Sequence, residues 1–252
     1  MKFSANLGFL WPELSLLDGI HAAHKAGFDA VECHWPYAIP VADVRAVLAE
    51  TGFQMLGLNT VRGDVANGEN GLAALPGREH EARAAIDQAL VYAQATGTLN
   101  VHVMAGFASG QKAHDTFLAN LSYAATKGKE MGVGILIEPL NQHDAPGYFL
   151  SKSDQALSII ETLGEPSIRL MFDCYHIQIM EGDLTRRLQA LRPVIGHIQF
   201  ASVPDRAEPD TGEVAYQHVF AIIEELGYDT PLGAEYKPRG STDEGLGWLK
   251  TL

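Results

Sequence analysis

The chain has 252 residues, of which 46% are hydrophobic and 19% charged, and it contains two cysteines. This length suits one large domain or two small ones, and the apolar fraction excludes intrinsic disorder and fibrous repeats. No apolar run approaches the roughly 20 residues that span a bilayer, and the N-terminus lacks the pattern of a signal peptide. Two cysteines are too few for a disulfide scaffold, so we expect a cytoplasmic protein.

The chain is acidic, with 18 basic and 31 acidic residues and a formal net charge of -13. A nucleic acid partner would require a basic patch, because phosphate contacts carry most of that affinity, and no such cluster of Lys and Arg is present. An acidic surface also repels membranes. We therefore expect a small-molecule substrate, and the sequence leaves open whether the chain is a monomer or a homo-oligomer.

A helical pattern, a glycine and a short β-rich run recur along the chain, and glycine just after a helix is typical of a helix end. Runs rich in Val, Ile, Leu and Phe are typical of strands that are buried on both faces. In chain order, the predicted elements are a strand at Phe3–Leu10, a helix at Leu17–Lys25, a strand after Gly27, a helix at Val41–Glu50, a strand after Gly52, a helix at Arg78–Gln94, a strand after Gly97, a helix at Ala113–Met131, a strand after Gly132, a helix at Ser153–Thr162, a strand after Gly164, a strand at Ile195–Ala201, a helix at Tyr216–Leu226 and a strand after Gly227.

Eight βα units in 252 residues average about 31 residues each, which is close to the size of a (β/α)8 barrel. The competing α/β fold is an open, doubly wound sheet. The first βα turn lacks the G-x-G-x-x-G pattern of that fold, and no long linker divides the chain. We therefore predict a single TIM-barrel domain over residues 1–252.

Active sites of such barrels lie at the carboxyl ends of the strands, and four predicted strands end in polar side chains. These are Glu138, Asp173, Gln199 and Glu235, separated by 35, 26 and 36 residues, or about one βα unit each. A carboxylate in an apolar strand is costly unless it is paired or bound to a cation. Any one of these acids could instead cap a helix or pair with an arginine. Together they predict an all-oxygen site, which suits Mg²⁺ or Mn²⁺ better than zinc.

Four motifs around these residues resemble the hydroxypyruvate isomerase family of xylose-isomerase-like barrels. They are EPLN at 138–141, D-x-x-H at 173–176, HIQFASVPDR at 197–206 and AEYKP at 234–238. The resemblance implies a metal held by Glu138, Asp173, Gln199 and Glu235, with the two glutamates also acting as acid/base catalysts. It further implies that His176 and Arg206 contact the substrate. In the related ketose 3-epimerases a histidine usually takes the place of Gln199, which favours the hydroxypyruvate branch.

The chemistry of an isomerase suits these residue types. Moving a carbonyl to the neighbouring carbon requires removing a proton α to it and returning a proton to the next carbon. A metal polarises the carbonyl, and two carboxylates perform the proton transfers. The leading hypothesis is therefore an isomerase that interconverts hydroxypyruvate and tartronate semialdehyde.

Several alternatives use a similar barrel. A 2-oxo-tetronate isomerase and a ketose 3-epimerase would use the same residues on a different substrate. A metal-dependent hydrolase, such as an apurinic endonuclease, would require histidine-rich zinc sites and a basic groove. A non-catalytic sugar-binding barrel would not require two opposed glutamates.

The sequence offers further candidates for substrate binding. An acidic substrate requires a cation, and the strand-end candidates are Arg62, Arg206 and Lys237. Arg206 is the first choice because its guanidinium matches a carboxylate. Lys237 lies two residues after Glu235, on the same face if the strand continues. His102 ends the fourth strand and either binds substrate or has a structural role. A surface pairing of Arg206 with Asp205 or Glu208 is the alternative to substrate binding.

Three other polar residues near the predicted strand ends carry weaker expectations. Glu32 and His34 lie on one face of the second strand, which makes that face polar at the mouth of the barrel. Asp144 follows the EPLN motif, and we expect it to be an exposed loop acid rather than a substrate contact.

Overall fold

Eight short parallel strands form the centre of the computed structural model, which describes residues 1–252. They are β1 (Phe3–Asn6), β2 (Ala30–Glu32), β3 (Gly57–Asn59), β4 (Asn100–His102), β5 (Gly134–Ile137), β6 (Ile168–Asp173), β7 (Ile195–Phe200) and β8 (Leu232–Ala234). Their order around the sheet is β2-β1-β8-β7-β6-β5-β4-β3. A parallel bridge between Val31 and Met55 joins the two end strands, so the sheet is a nearly closed barrel, as predicted.

The helices surround the barrel. They are α1 (Leu16–Ala26), α2 (Val41–Thr51), α3 (Glu79–Thr96), α4 (Gly110–Met131), α5 (Ser153–Leu163), α6 (Cys174–Met180), α7 (Leu184–Leu191), α8 (Tyr216–Glu225) and α9 (Thr242–Gly245), with 3-10 turns at Val65–Asn67 and Leu246–Lys250. The six helices whose bounds the sequence predicted lie within three residues of those bounds. None of the helices combines the length and apolar composition needed to cross a bilayer.

The first strand is shorter than predicted, since it ends at Asn6 rather than at Leu10. The backbone N–H groups of Phe9 and Leu10 donate to the carbonyl of Asn6 at 3.1 and 2.9 Å, which folds this segment into a turn. The apolar run misled the prediction because its side chains are buried beside the barrel without continuing the strand. Leu10, for example, is fully buried.

Parallel pairing places the carboxyl ends of the strands at one mouth of the barrel. In register, Asp173 of β6 is opposite Gln199 of β7, and Gln199 is opposite Gly233 of β8. The strand residues are almost all buried, which explains why these runs are rich in Val, Ile and Leu. Polar residues at the strand ends are therefore held close together by the sheet.

Candidate active site

The four predicted metal ligands lie together at this mouth. Glu138 directly follows β5, Asp173 ends β6, Gln199 lies in β7 and Glu235 directly follows β8. Their exposed fractions are 6%, 1%, 3% and 6%, respectively. Three acidic side chains and one amide are thus buried at the ends of adjacent strands. The cost of removing them from water must be offset by a cation or by hydrogen bonds.

This cluster has the donor atoms to hold a divalent metal ion. One potential ligand atom from each of Glu138, Asp173, His176 and Glu235 lies within 4.8 Å of the others. Glu138 Oε1, Asp173 Oδ2 and Gln199 Oε1 are buried and accept no hydrogen bond. Buried acceptor oxygens are rarely left unpaired. Three such oxygens in one cluster match the oxygen ligands that Mg²⁺ and Mn²⁺ prefer.

His176 belongs to this cluster, but its hydrogen bonds make it a donor rather than a ligand. Its Nδ1 accepts from the backbone N–H of Asn141 at 3.0 Å and lies 2.8 Å from Asn141 Nδ2. Burial, and secondarily Arg206, lowers the pKa of His176 to about 3, so the ring is neutral at neutral pH. A neutral ring whose Nδ1 accepts must carry its proton on Nε2. Nε2 lies 3.6 Å from Asp173 Oδ2, and its N–H is available to a substrate oxygen.

Glu138 and Asp173 are in environments that favour the protonated carboxyl. Burial, together with the charges of Glu235 and Asp173, raises the pKa of Glu138 well above its usual range. Burial also raises the pKa of Asp173 to about 7, although Arg206 opposes the shift. Carboxyls of this kind retain a proton near neutral pH until a cation displaces it.

The environment of Glu235, in contrast, favours the ionised carboxylate. Burial disfavours its charged form, but Arg206 and His34 outweigh this and lower the pKa of Glu235 to about 2. Its Oε1 accepts from Asn6 Nδ2 at 2.9 Å and lies 3.2 Å from His34 Nε2, while Oε2 forms an ion pair with Arg206 Nη2. Glu235 is therefore the ionised carboxylate of the site.

Arg206 is the cation at this mouth. Its guanidinium lies between the rings of Phe9 and Tyr175, 4.7 and 4.9 Å from their centroids. Nη2 also lies 3.6 Å from Asp173 Oδ2, and only 12% of the side chain is exposed. Stacking on two rings orients the guanidinium, so Arg206 presents a fixed, partly desolvated charge to the site.

The alternative surface pairing of Arg206 does not occur. Glu208 pairs instead with Arg239, with 2.7 Å between Oε2 and Nε. Lys237 requires a correction, because its side chain is exposed and does not line the cavity of the site. Strand β8 ends at Ala234, so the alternation that would place Lys237 beside Glu235 does not continue.

A cavity of about 180 Å³ opens beside the carboxylates. Its lining includes His102, whose Nδ1 lies 3.5 Å from Glu138 Oε2 and whose Nε2 is buried without a hydrogen-bond partner. Burial lowers the pKa of His102 to about 4, so this ring is neutral as well. An unpaired nitrogen next to the cavity keeps His102 a candidate for binding a substrate hydroxyl.

The sequence did not identify all the polar residues of the site. Asp144 is an exposed loop acid, as expected, with 39% of its side chain exposed, but it also lines the cavity, and its Oδ2 accepts from Tyr175 Oη at 2.9 Å and from Asn141 Nδ2 at 3.1 Å. Asn141 is fully buried, and its Oδ1 accepts from the backbone N–H groups of His143 and Asp144. The turn-forming N-x-x-D spacing was the available signal, since Asn side chains commonly bond nearby backbone groups.

Comparison with known proteins identifies relatives over the whole chain. A family model described as a xylose isomerase-like TIM barrel matches residues 20–252. A protein named 2-oxo-tetronate isomerase, from Cupriavidus necator, is 45% identical over 99% of this chain and 97% of its own length. A protein named hydroxypyruvate isomerase, from Escherichia coli, is 39% identical over 99% of this chain and 98% of its own length.

A solved structure is also similar to this chain over nearly its whole length. The crystal structure titled AP endonuclease, family 2, from Brucella melitensis superposes with a TM-score of 0.96 at 38% sequence identity. The match covers 99% of this chain and 98% of that one. The barrel and its surrounding helices are therefore similar throughout their length.

Proposed function

Since the chain belongs to the hydroxypyruvate isomerase family of xylose isomerase-like TIM barrels and is an isomerase of small 2-oxo acids, we propose that it moves the carbonyl of a 2-oxo-3-hydroxy acid from C2 to C3 by proton transfer between Glu138 and Glu235. The observation that carries the proposal is that these glutamates lie together in one buried cluster, where the metal-free protein shifts their pKa values in opposite directions. Paired groups whose environments separate their pKa values are typical of acid/base catalysts.

The proposed roles follow from these environments. The ionised Glu235 removes the proton from C3, and the electron pair of that C–H bond forms the C2–C3 double bond of an enediolate. Glu138 takes the proton of the C3 hydroxyl and delivers it to C2 as the new carbonyl forms at C3, and the proton that Glu235 removed passes to the oxygen on C2. His176 donates its Nε2–H to a substrate oxygen. Both glutamates are then ionised again for the next turnover.

The unpaired oxygens support a divalent cation, Mg²⁺ or Mn²⁺, as cofactor. Glu138, Asp173, Gln199 and Glu235 would hold it, and three of them have the buried acceptor oxygens described above. When bound, such an ion polarises the substrate carbonyl and stabilises the negative charge that develops on its oxygen. His176 is excluded from this ligand set by its hydrogen bond from Asn141.

The substrate is proposed to be an acid of three or four carbons. Hydroxypyruvate is the leading substrate from the sequence, and the relative from Cupriavidus necator supports 2-oxo-tetronate beside it. Arg206 supplies the cation for the substrate carboxylate. The test is an assay of purified protein, with Mg²⁺ or Mn²⁺, against hydroxypyruvate, 2-oxo-tetronate and neutral ketoses. We expect turnover of the acids; turnover of ketoses alone would replace this proposal by a 3-epimerase.

An AP endonuclease is the second candidate, because the Brucella melitensis structure carries that title. The net charge of -13 opposes binding to DNA. The carboxylate-rich cluster also differs from the histidine-rich sites of zinc-dependent enzymes. A nicking assay on abasic DNA, run beside the isomerase assay, distinguishes the two activities.

We further propose that the protein works in a reducing cytoplasm. Its two cysteines, Cys33 and Cys174, are buried and unpaired, which suits a compartment where thiols remain reduced. Cell fractionation followed by immunodetection tests this location.

A further inference from the structure

A fifth acidic side chain, Glu32, lies next to the proposed metal site without being one of its ligands. It ends β2 and is 3% exposed. Its Oε1 accepts from Gln199 Nε2 at 2.8 Å and from Asn6 Nδ2 at 2.9 Å. Its Oε2 lies 2.5 Å from His197 Nε2 and accepts from Ser4 Oγ at 3.3 Å. Glu32 therefore receives hydrogen bonds from two strands of the barrel, β1 and β7.

These contacts determine which way the amide of Gln199 points. Only the NH₂ end of an amide donates hydrogen bonds, and Glu32 Oε1 accepts from Gln199 Nε2, so the amide turns its NH₂ group toward Glu32. Gln199 Nε2 also lies 3.3 Å from Glu235 Oε1, a second acceptor. The amide oxygen is consequently turned away from both carboxylates, and it is the buried Oε1 that has no partner. A reversed amide would present NH₂ to a cation and an oxygen to Glu32.

A glycine provides the space for this contact. Gly233 of β8 lies beside Gln199 in the sheet. A Cβ atom at Gly233 would lie 2.6 Å from Glu32 Oε1 and 2.8 Å from Gln199 Cγ. Any larger residue there would displace the two side chains, so a glycine at this position of β8 leaves room for the hydrogen bond between Glu32 and Gln199.

From these contacts we infer that Glu32 is a positioning residue, which fixes the amide of Gln199 with its oxygen directed at the metal. The inference rests on the metal site of the proposed function. Gln199 is a neutral ligand, so its contribution to affinity depends on orientation more than that of a carboxylate. Loss of a group that orients a ligand typically lowers metal affinity by about 10- to 100-fold.

Titration of Mn²⁺ into chelator-treated protein, followed by calorimetry, tests this inference without an activity readout. Glu32→Gln offers one acceptor oxygen in place of two, and we expect its Mn²⁺ affinity to fall at least about tenfold. Gly233→Ala changes no charge, yet its Cβ displaces both Glu32 and Gln199 and disrupts their contact, so its affinity should fall as well. Circular dichroism verifies that each variant is folded.

Two matched variants control for the substitutions themselves. Glu208→Gln makes the same change at another buried glutamate, which pairs with Arg239. Gly57→Ala makes the same change in β3, where the nearest atom to the new Cβ is 3.9 Å away. Both controls should bind Mn²⁺ like the wild type. Equal affinity of Gly233→Ala and Gly57→Ala would overturn the inference, even if Glu32→Gln did not fold.

A double-mutant cycle separates orientation from simple charge. If Glu32 acts through Gln199, Glu32→Gln should change affinity less than about threefold in a Gln199→Ala background. A loss of the same size in both backgrounds would show that Glu32 acts only through its charge, which contradicts the inference. If the wild type bound no Mn²⁺, the metal site of the proposed function would fail, and the inference with it.

Discussion

Glu138 and Glu235 are the same residue type at equivalent ends of two strands, yet in the metal-free protein their pKa values are shifted in opposite directions. Burial and the charges of Glu235 and Asp173 raise the pKa of Glu138 although Arg206 opposes the shift, whereas Arg206 and His34 lower that of Glu235. The sequence predicted that both glutamates lie at the barrel mouth. It could not predict which pKa is lowered, because that depends on Arg206, which lies in a loop far from both along the chain.

Glu138→Gln and Glu235→Gln should each lower kcat at least about 100-fold, the low end for loss of a general acid or base. An amide has the size of the carboxyl but neither accepts nor delivers the proton. Steady-state kinetics on hydroxypyruvate and 2-oxo-tetronate measure the loss. Glu208→Gln, outside the site, should retain activity. Wild-type kcat in either site variant would show that the glutamate has only a structural role.

Asp173→Asn should stabilise the metal-free protein at pH 8 while weakening Mn²⁺ binding. The pKa of Asp173 is raised from 3.8 to about 7, so folding favours its protonated form. As pH rises from about 4 to 7, the unfolded chain releases this proton before the folded protein does, and the free energy of unfolding falls. Asn cannot ionise, and its side-chain oxygen can still accept from the backbone N–H of Tyr175.

The expected gain at pH 8 is about 1 to 3 kcal/mol, typical of a buried group without adequate partners. Urea denaturation in chelator at pH 5 and pH 8 measures it, and the difference from wild type should shrink at pH 5. Asp229→Asn, an exposed substitution, should change little at either pH. A variant less stable than wild type at pH 8 would contradict the sign of the shift.

Arg206→Ala should raise KM for hydroxypyruvate at least about tenfold, because charge-assisted hydrogen bonds are worth about 1.5 to 3 kcal/mol. A neutral ketose, if accepted, should be affected less, since it has no carboxylate. Arg239→Ala removes a more exposed arginine and should leave both KM values unchanged. Equal losses on charged and neutral substrates would favour a 3-epimerase, and no loss would exclude Arg206 as the carboxylate site.

At the scale of the elements, the glycines that end helices were the most reliable signal. Helices α1, α2, α3, α4 and α5 each end at a glycine with positive φ, as the recurring pattern predicted. The short helix α6 is the informative exception. Asp173 caps it by accepting from Tyr175 N–H at 2.8 Å, and its first turn brings His176 to the site. Asp173 both ends β6 and caps α6, and no change in hydrophobic periodicity marks the boundary between the two elements. The sequence pattern therefore could not predict that this residue has both roles.

Gly132→Ala should lower the free energy of unfolding by about 1 to 2 kcal/mol, the cost of a left-handed conformation for a residue with a Cβ. Gly132 has φ +71° at the end of α4, and a new Cβ would meet no atom within 4 Å, so the cost is conformational. Urea denaturation measures it. Gly247→Ala, with similar free space and no positive φ, is the control; equal effects in both variants would contradict this explanation.

At the scale of the whole molecule, the barrel was predictable because each βα unit repeats the same local signals. The strand-end acids were predictable for the same reason, since parallel strands place their ends at one mouth. The contacts of Glu32 and Arg206 were not predictable, because they join segments that are far apart in the chain. Glu32 meets Gln199 across 167 residues, and Arg206 meets Glu235 across 29.

The central claim is that Glu138 and Glu235 exchange a substrate proton, and the most direct test is proton NMR of substrate in deuterated water. Wild-type protein with Mg²⁺ should incorporate deuterium from solvent into hydroxypyruvate or 2-oxo-tetronate, at the carbon next to the carbonyl, as the isomer forms. Glu138→Gln, Glu235→Gln and chelator-treated protein should each do so at least about 100-fold more slowly. Binding of either acid by the wild type without isomerisation or exchange would contradict the account.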